Sequence, residues 1–138
     1  MSRKALLIGI NYFNTKSELR GCINDVHNIK KFLKKNYNLK EDEVIILTDD
    51  QKEPSHQPTK GNIIRNLHWL VKGATSDSKL FLHYSGHGSH VRDTSGDEND
   101  GQDECICPVD YNSSGFIKDD TIKRIIADPL PKGCNLFA

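Results

Sequence analysis

Three apolar runs of strand length, separated by stretches with helical spacing, limit what this chain can fold into. Residues 4–10 (KALLIGI) are unbroken apolar sequence ending at a polar loop, the pattern of a strand covered on both faces. Residues 43–48 (EVIILT) and 79–84 (KLFLHY) repeat that pattern. Between the first two runs, Val26, Ile29, Leu33 and Tyr37 recur at three- and four-residue steps. Lys30, Lys31, Lys34 and Lys35 lie on the wet side, and Asn24 or Asp25 is placed to cap the helix. Between the second and third runs, a loop broken by Pro54 and Pro58 leads to Thr59. Thr59 is expected to cap a helix with Ile63, Leu67, Leu70 and Val71 inward and Gly73 at its end. This alternation specifies an α/β fold with an open, mostly parallel sheet flanked by helices.

The remaining sequence is shorter and more irregular. Residues 105–109 (CICPV) read as a strand at a sheet edge, because Pro108 has no N–H for a ladder. Asp119 and Asp120 open a short helix with Ile122, Ile125 and Ile126 inward, stopped by Pro129. Residues 134–138 (CNLFA) begin a further apolar run, on which the sequence ends. One domain over residues 1–138, truncated at its C-terminus, is the expectation for a chain of this length.

Charge narrows the function classes. Lys and Arg total 19, Asp and Glu total 19, and the net charge is zero, which speaks against nucleic-acid binding by bulk charge. Residues 93–104 (DTSGDENDGQDE) hold six acids and no base, so the rest of the chain carries 13 acids against 19 bases. No run approaches the ~20 apolar residues of a membrane-spanning helix, and the basic N-terminus reads as the start of a first strand. Four irregularly spaced cysteines do not form a disulfide framework. They point to a reducing compartment, with a cytoplasmic or cytoplasmic and nuclear location expected.

In open α/β sheets chemistry sits beyond the carboxyl ends of the strands. LRGCINDV follows the first strand and SGHGS the third. His87, between Gly86 and Gly88, has the position and imidazole chemistry of a general base. Taken alone, it reads first as a turn histidine packed on Tyr84. His83, His87 and His90 do not share a helical metal-binding face, since a strand-to-turn break divides them. Cys22 reads either as a reactive loop thiol or as a small packed one. Cys105, Cys107 and Cys134 read as structural. The acidic stretch offers the hard oxygen ligands calcium favours, but it does not match an EF-hand loop. A solvated acidic loop explains it as well.

Taken in order, KALLIGINYF, LRGCINDVHNI, VIILTDDQ, PTKGNII, LFLHYSGHGSHVRDTSGDENDGQDE, CPVD and the DD…PLPKG stretch resemble a type I metacaspase across nearly the whole chain. HYSGHG followed by DxxGDExDGxDE is the specific part. The resemblance implies a caspase-like fold and a calcium-dependent cysteine endopeptidase cutting after Arg or Lys. It implies that His87 is the catalytic histidine and that the backbone of Gly88 helps stabilise an oxyanion. Asp25, with Cys22 beside it in GCIND, falls in the substrate pocket, where a carboxylate suits a basic side chain. Asp103, Asp119 and Asp120 fall on Ca2+ ligands. The family's nucleophile lies in a D-S-C-H-S-G turn, which these residues do not contain, so the isolated chain is expected to be inactive. Protein or peptide substrates with Arg or Lys at the cleavage site are the expected partners, together with a complementary C-terminal fragment or a full-length relative. Neither nucleic acid nor membrane is expected as a partner. The alternative is a non-catalytic calcium-binding or interaction module that pairs with a full-length relative.

Overall fold

A computed structural model describes residues 3–92, 102–127 and 135–137. Its centre is a parallel sheet of strands β1 (Arg3–Gly9), β2 (Val44–Thr48), β3 (Lys79–Ser85) and β7 (Asn135–Phe137), in the order β2-β1-β3-β7. The most apolar run in the sequence therefore becomes an inner strand, paired on both sides: Ala5 with Val44 and Phe81, Ile8 with Leu47 and Tyr84.

Both faces of β1 are covered. Ala5 and Leu7 pack with Val26 and Leu33 of helix α1 (Cys22–Tyr37) and with Phe81. Leu6, Ile8 and Ile10 pack on the other face with Ile63, Leu67 and Leu70 of helix α2 (Lys60–Val71), and with Leu47 and Leu80. Ile126 of helix α4 (Asp119–Ile126) joins that second cluster. Each buried Leu or Ile contributes about 1.5–3 kcal/mol relative to exposure, so the two clusters dominate the folding free energy. The period-two alternation of β3 divides its side chains in the same way. Phe81, His83 and Ser85 share the α1 face, while Leu80, Leu82 and Tyr84 face the α2 side.

The caps match the sequence in one helix and not in the other. Thr59 caps α2, its hydroxyl accepting the Asn62 N–H at 3.2 Å. Helix α1 begins four residues earlier than an Asp25 cap requires, after Gly21 at φ 93°, and leaves Asn24 and Asp25 in its first turn. Its leading N–H, that of Cys22, is satisfied from a distance by the Asn11 side chain at 3.1 Å. A cap supplied across the fold leaves no local signature.

The strand expected over residues 105–109 also differs. Strand β5 spans Gln102–Ile106 and is the middle of a separate antiparallel sheet, between β4 (Gly88–Arg92) and β6 (Ile117–Lys118). Pro108 lies beyond it, and the Cys107 N–H is taken by the His87 carbonyl at 3.1 Å. The turn at SGHGS is thus shorter than it reads, since Gly88 already pairs with Ile106. One further turn of helix, α3 (Tyr111–Ser114), precedes β6. Asp119 and Asp120 lie in the first turn of α4, behind Lys118 as the capping residue. Most of the acidic stretch, residues 93–101, and Cys134 lie outside the described residues.

Gly9 is where α1 meets the sheet. A Cβ there would stand 2.6 Å from Val26 Cγ2 and 2.8 Å from the Cys22 carbonyl oxygen. Gly9→Ala is therefore expected to push the start of α1 off β1 and cost about 1–3 kcal/mol. A lowered urea midpoint with unchanged slope is the expected readout; an unchanged midpoint would contradict this packing.

Candidate active site

The loop from Ile10 to Gly21 and the turn after β3 meet beyond the carboxyl ends of β1 and β3. Two N–H groups of the first loop, from Asn11 and Tyr12, donate to the Asp49 carboxylate at 3.0 and 2.8 Å. That grip holds Tyr12 at φ 55°, a left-handed conformation seldom adopted by a tyrosine. It also turns the Tyr12 side chain inward beneath His87, with ring centroids 4.7 Å apart. His87 therefore packs on Tyr12, and its contact with Tyr84 runs through the backbone.

The two phenols fix the His87 main chain from both sides. Tyr12 Oη accepts the His87 N–H at 2.9 Å and donates to the Cys107 carbonyl at 2.6 Å. Tyr84 Oη donates to the His87 carbonyl at 2.7 Å. Burial raises both phenols above the usual tyrosine range, so each keeps its one proton at neutral pH. The 3.1 Å contact between the two hydroxyls is secondary to those shorter bonds. Gly86 makes room for them: a Cβ there would lie 2.7 Å from Tyr84 Oη and 3.0 Å from Tyr12 Oη.

The imidazole itself is half-buried, and its Nε2 lies 2.6 Å from the Ser17 carbonyl oxygen. A carbonyl can only accept, so Nε2 carries the proton. In the neutral ring Nδ1 is then the basic nitrogen. Ser17, His87, Gly88 and Cys107 line a small cavity of about 200 Å³ together with Tyr111 and Phe116. Gly88 is exposed at the start of β4. The described thiols do not suit a nucleophile. Cys22, Cys105 and Cys107 are all buried, and burial, with Cys105 adding to it, pushes the Cys107 thiol up.

Asp25 lies on the α1 face of the sheet. It is exposed in the first turn of α1 and accepts a hydrogen bond from the Ser85 hydroxyl at 3.2 Å. Cys22 is buried one turn earlier on the same helix. His83, two residues before Ser85 on the same face of β3, has a buried Nε2 with no hydrogen-bond partner among the described residues. Burial holds its imidazole below the usual histidine range, and Asp25 partly opposes this.

A third group of acids gathers at the antiparallel sheet. Cys105 pairs with Lys118 and Ile106 with Ile117, so the register running outward brings the Asp103–Glu104 end of β5 toward Asp119 and Asp120. Glu104 and Asp119 line one cavity of about 120 Å³. Asp119 also pairs with Lys123 at 3.1 Å, and Asp120 is exposed. The side chain of Asp103 lies outside the described residues, and no group of three metal-ligating side chains occurs among those described. The oxygen donors present fit a hard cation better than zinc.

A half-buried histidine lies just past β3, and an acid of α1 accepts a hydrogen bond from Ser85, the last residue of that strand. The family model for the metacaspase, peptidase C14 domain matches residues 3–138. The chain belongs to the metacaspase family. Over 137 residues it is 56% identical to Metacaspase-1 of Eremothecium gossypii, a match covering 99% of this chain and 30% of that one. It is 54% identical over 136 residues to Metacaspase-1A of Aspergillus niger, covering 99% of this chain and 34% of the relative. The chain thus spans about a third of the length of these relatives. A solved protein structure from Geobacter sulfurreducens superposes with a TM-score of 0.73 at 25% identity, covering 99% of this chain and 48% of that one. The fold is the caspase-like α/β fold of a cysteine-peptidase family.

The contacts that hold His87 in this metacaspase domain leave little trace in the sequence. Ser17 acts through its carbonyl, for which no side-chain signal exists. Tyr12 and Asp49 are separated from His87 by 75 and 38 positions and read as loop residues. Tyr12→Phe removes the acceptor for the His87 N–H and the donor to Cys107. It is expected to cost about 1–3 kcal/mol, read as a lowered urea midpoint, with loss of proton-exchange protection at the His87 amide. A midpoint and exchange rate equal to those of the parent chain would contradict the clamp.

Proposed function

We propose that this metacaspase domain supplies the base and the specificity acid of a calcium-dependent endopeptidase that cuts proteins after Arg or Lys. The observation that carries the reading is the 2.6 Å contact from His87 Nε2 to the Ser17 carbonyl, which leaves Nδ1 as the base. Nδ1 takes the proton of a cysteine thiol furnished by the remainder of the domain. The thiolate sulfur forms its bond to the scissile carbonyl carbon, and the Nδ1 proton then passes to the departing amine as the C–N bond breaks. While the ring is an imidazolium, the Ser17 carbonyl dipole stabilises it through Nε2–H. The Gly88 amide, at the mouth of the same cavity, is suited to the oxyanion.

Asp25 gives the site its preference for a basic side chain. Its exposed carboxylate is oriented by Ser85 and can take a charge-assisted hydrogen bond from an arginine or lysine. Asp103, Asp119 and Asp120 are the residues that would hold Ca2+, which would offset the charge of the acidic stretch. Since the described cysteines are buried and the sequence holds no D-S-C-H-S-G turn, the 138 residues alone are inactive on this reading.

A chimera tests this, with the chain replacing the matching stretch of the Eremothecium relative. The chimera is expected to cleave Arg- and Lys-ending fluorogenic peptides only with calcium present, whereas the 138-residue chain does not cleave. His87→Ala should lower kcat by about 10²–10⁴-fold. Asp25→Asn should lower kcat/KM for the Arg peptide by about 10–100-fold. Full activity of the His87→Ala chimera would refute the assignment, and so would turnover by the isolated chain. An inactive chimera that still binds calcium would favour a non-catalytic module.

A further inference from the structure

A broad concavity lies away from the active site. It is a groove of about 1120 Å³ between α2 and α4 on the outer side of the molecule. Helical spacing builds it. Arg65, His68/Trp69 and Lys72 recur every three to four residues along α2, and Thr121 and Arg124/Ile125 do so along α4. The floor is apolar, made by half-buried Trp69, Val71 and Ile125, while Arg65, Lys72 and Arg124 stand exposed at the rim.

No acidic side chain among the described residues lines the groove. Among the described residues, Arg65, Lys72 and Arg124 have no carboxylate partner; the Arg65 guanidinium bonds only the neutral Asn62 amide oxygen. Lys4 adds positive charge from beneath. Its ammonium donates to the Trp69 and Lys72 carbonyls at 2.9 and 3.0 Å and lies 4.9 Å from the centre of the Trp69 ring. That cation fixes the α2 C-terminus, so Trp69 is presented on a rigid support. The surplus of basic residues outside the acidic stretch is thus partly concentrated around one exposed apolar floor.

We propose that this groove docks an acidic peptide segment, from a protein substrate or regulatory partner, that carries one bulky apolar side chain. Unpaired cations ringing an apolar floor are complementary to that chemistry: the carboxylates meet the rim and the anchor displaces water from Trp69, Val71 and Ile125. A twelve-residue helix is ~18 Å long, enough to seat about two turns of a helical ligand or five extended residues. Single-stranded nucleic acid fits less well. Such sites track the backbone with charge and stack successive bases on several aromatic rings, whereas this floor has one ring between aliphatic side chains. The inference does not depend on the catalytic reading, because the groove and the His87 cavity share no lining residue.

Trp69 is the sole tryptophan of the chain and reports on the groove directly. Titration of the 138-residue chain with the synthetic peptide acetyl-EELFEE-amide is expected to change Trp69 emission saturably, and acetyl-KKLFKK-amide is not. Apparent affinity should fall about tenfold or more for the Arg65→Glu, Arg124→Glu double variant, and again when salt rises from about 0.05 to about 0.5 M. Both substitutions are on exposed side chains, and far-ultraviolet circular dichroism checks that the fold is kept. If the double variant does not fold, Lys72→Ala is titrated in its place, with a severalfold loss expected. An absent or non-saturating response overturns the proposal. So does equal binding of the basic peptide, a response indifferent to charge reversal, or tighter binding of a short oligothymidylate than of the acidic peptide.

Discussion

The site depends on a carbonyl oxygen meeting one nitrogen of an imidazole. Ser17 holds His87 Nε2 at 2.6 Å, and this contact decides which ring nitrogen is the base and which way the ring faces. The oxygen belongs to a loop, so it is useful only if the loop is rigid. Asp49 supplies rigidity by taking the Asn11 and Tyr12 amides, and Asn11 supplies more by capping α1. Tyr12 and Tyr84 then fix the His87 backbone. A network of this kind is fully satisfied or it is costly, which explains why two buried phenols are tolerated there.

The alternation of β3 separates two tasks. Tyr84 points to the α2 side and supports the histidine, while Ser85 points to the α1 side and orients Asp25. Adjacent positions on one strand thereby hold the proposed base and, across the sheet, the proposed specificity acid without interfering. The α1 side is more open. Phe32 is exposed beside Tyr37, Phe81 and His83, which line a cavity of about 250 Å³. The unpartnered His83 Nε2 lies on that same face.

How much of this is legible in the sequence follows from the range of each signal. The apolar runs that became β1, β2 and β3, and the spacing of Val26, Leu33, Ile63 and Leu67, report burial directly, so the parallel layers could be read. The Thr59 cap is local and could be read as well. The antiparallel sheet could not, because β6 is two residues long and β4 begins immediately after His87. Nor could the start of α1, whose cap comes from Asn11. Within the site, residue type and place mark His87 only together with the metacaspase resemblance, and the role proposed for Asp25 comes from that resemblance alone. Ser17 is invisible because only its main chain acts, and Tyr12 and Asp49 are invisible because their partners are distant in the chain.

The tautomer of His87 is the point on which the chemistry turns. A long-range proton–nitrogen correlation spectrum of the neutral ring reads it directly. The account predicts a protonated Nε2, an unprotonated Nδ1, and a ring N–H protected from exchange by Ser17. A neutral ring protonated at Nδ1, or an Nε2–H exchanging as freely as in solvent, would contradict it.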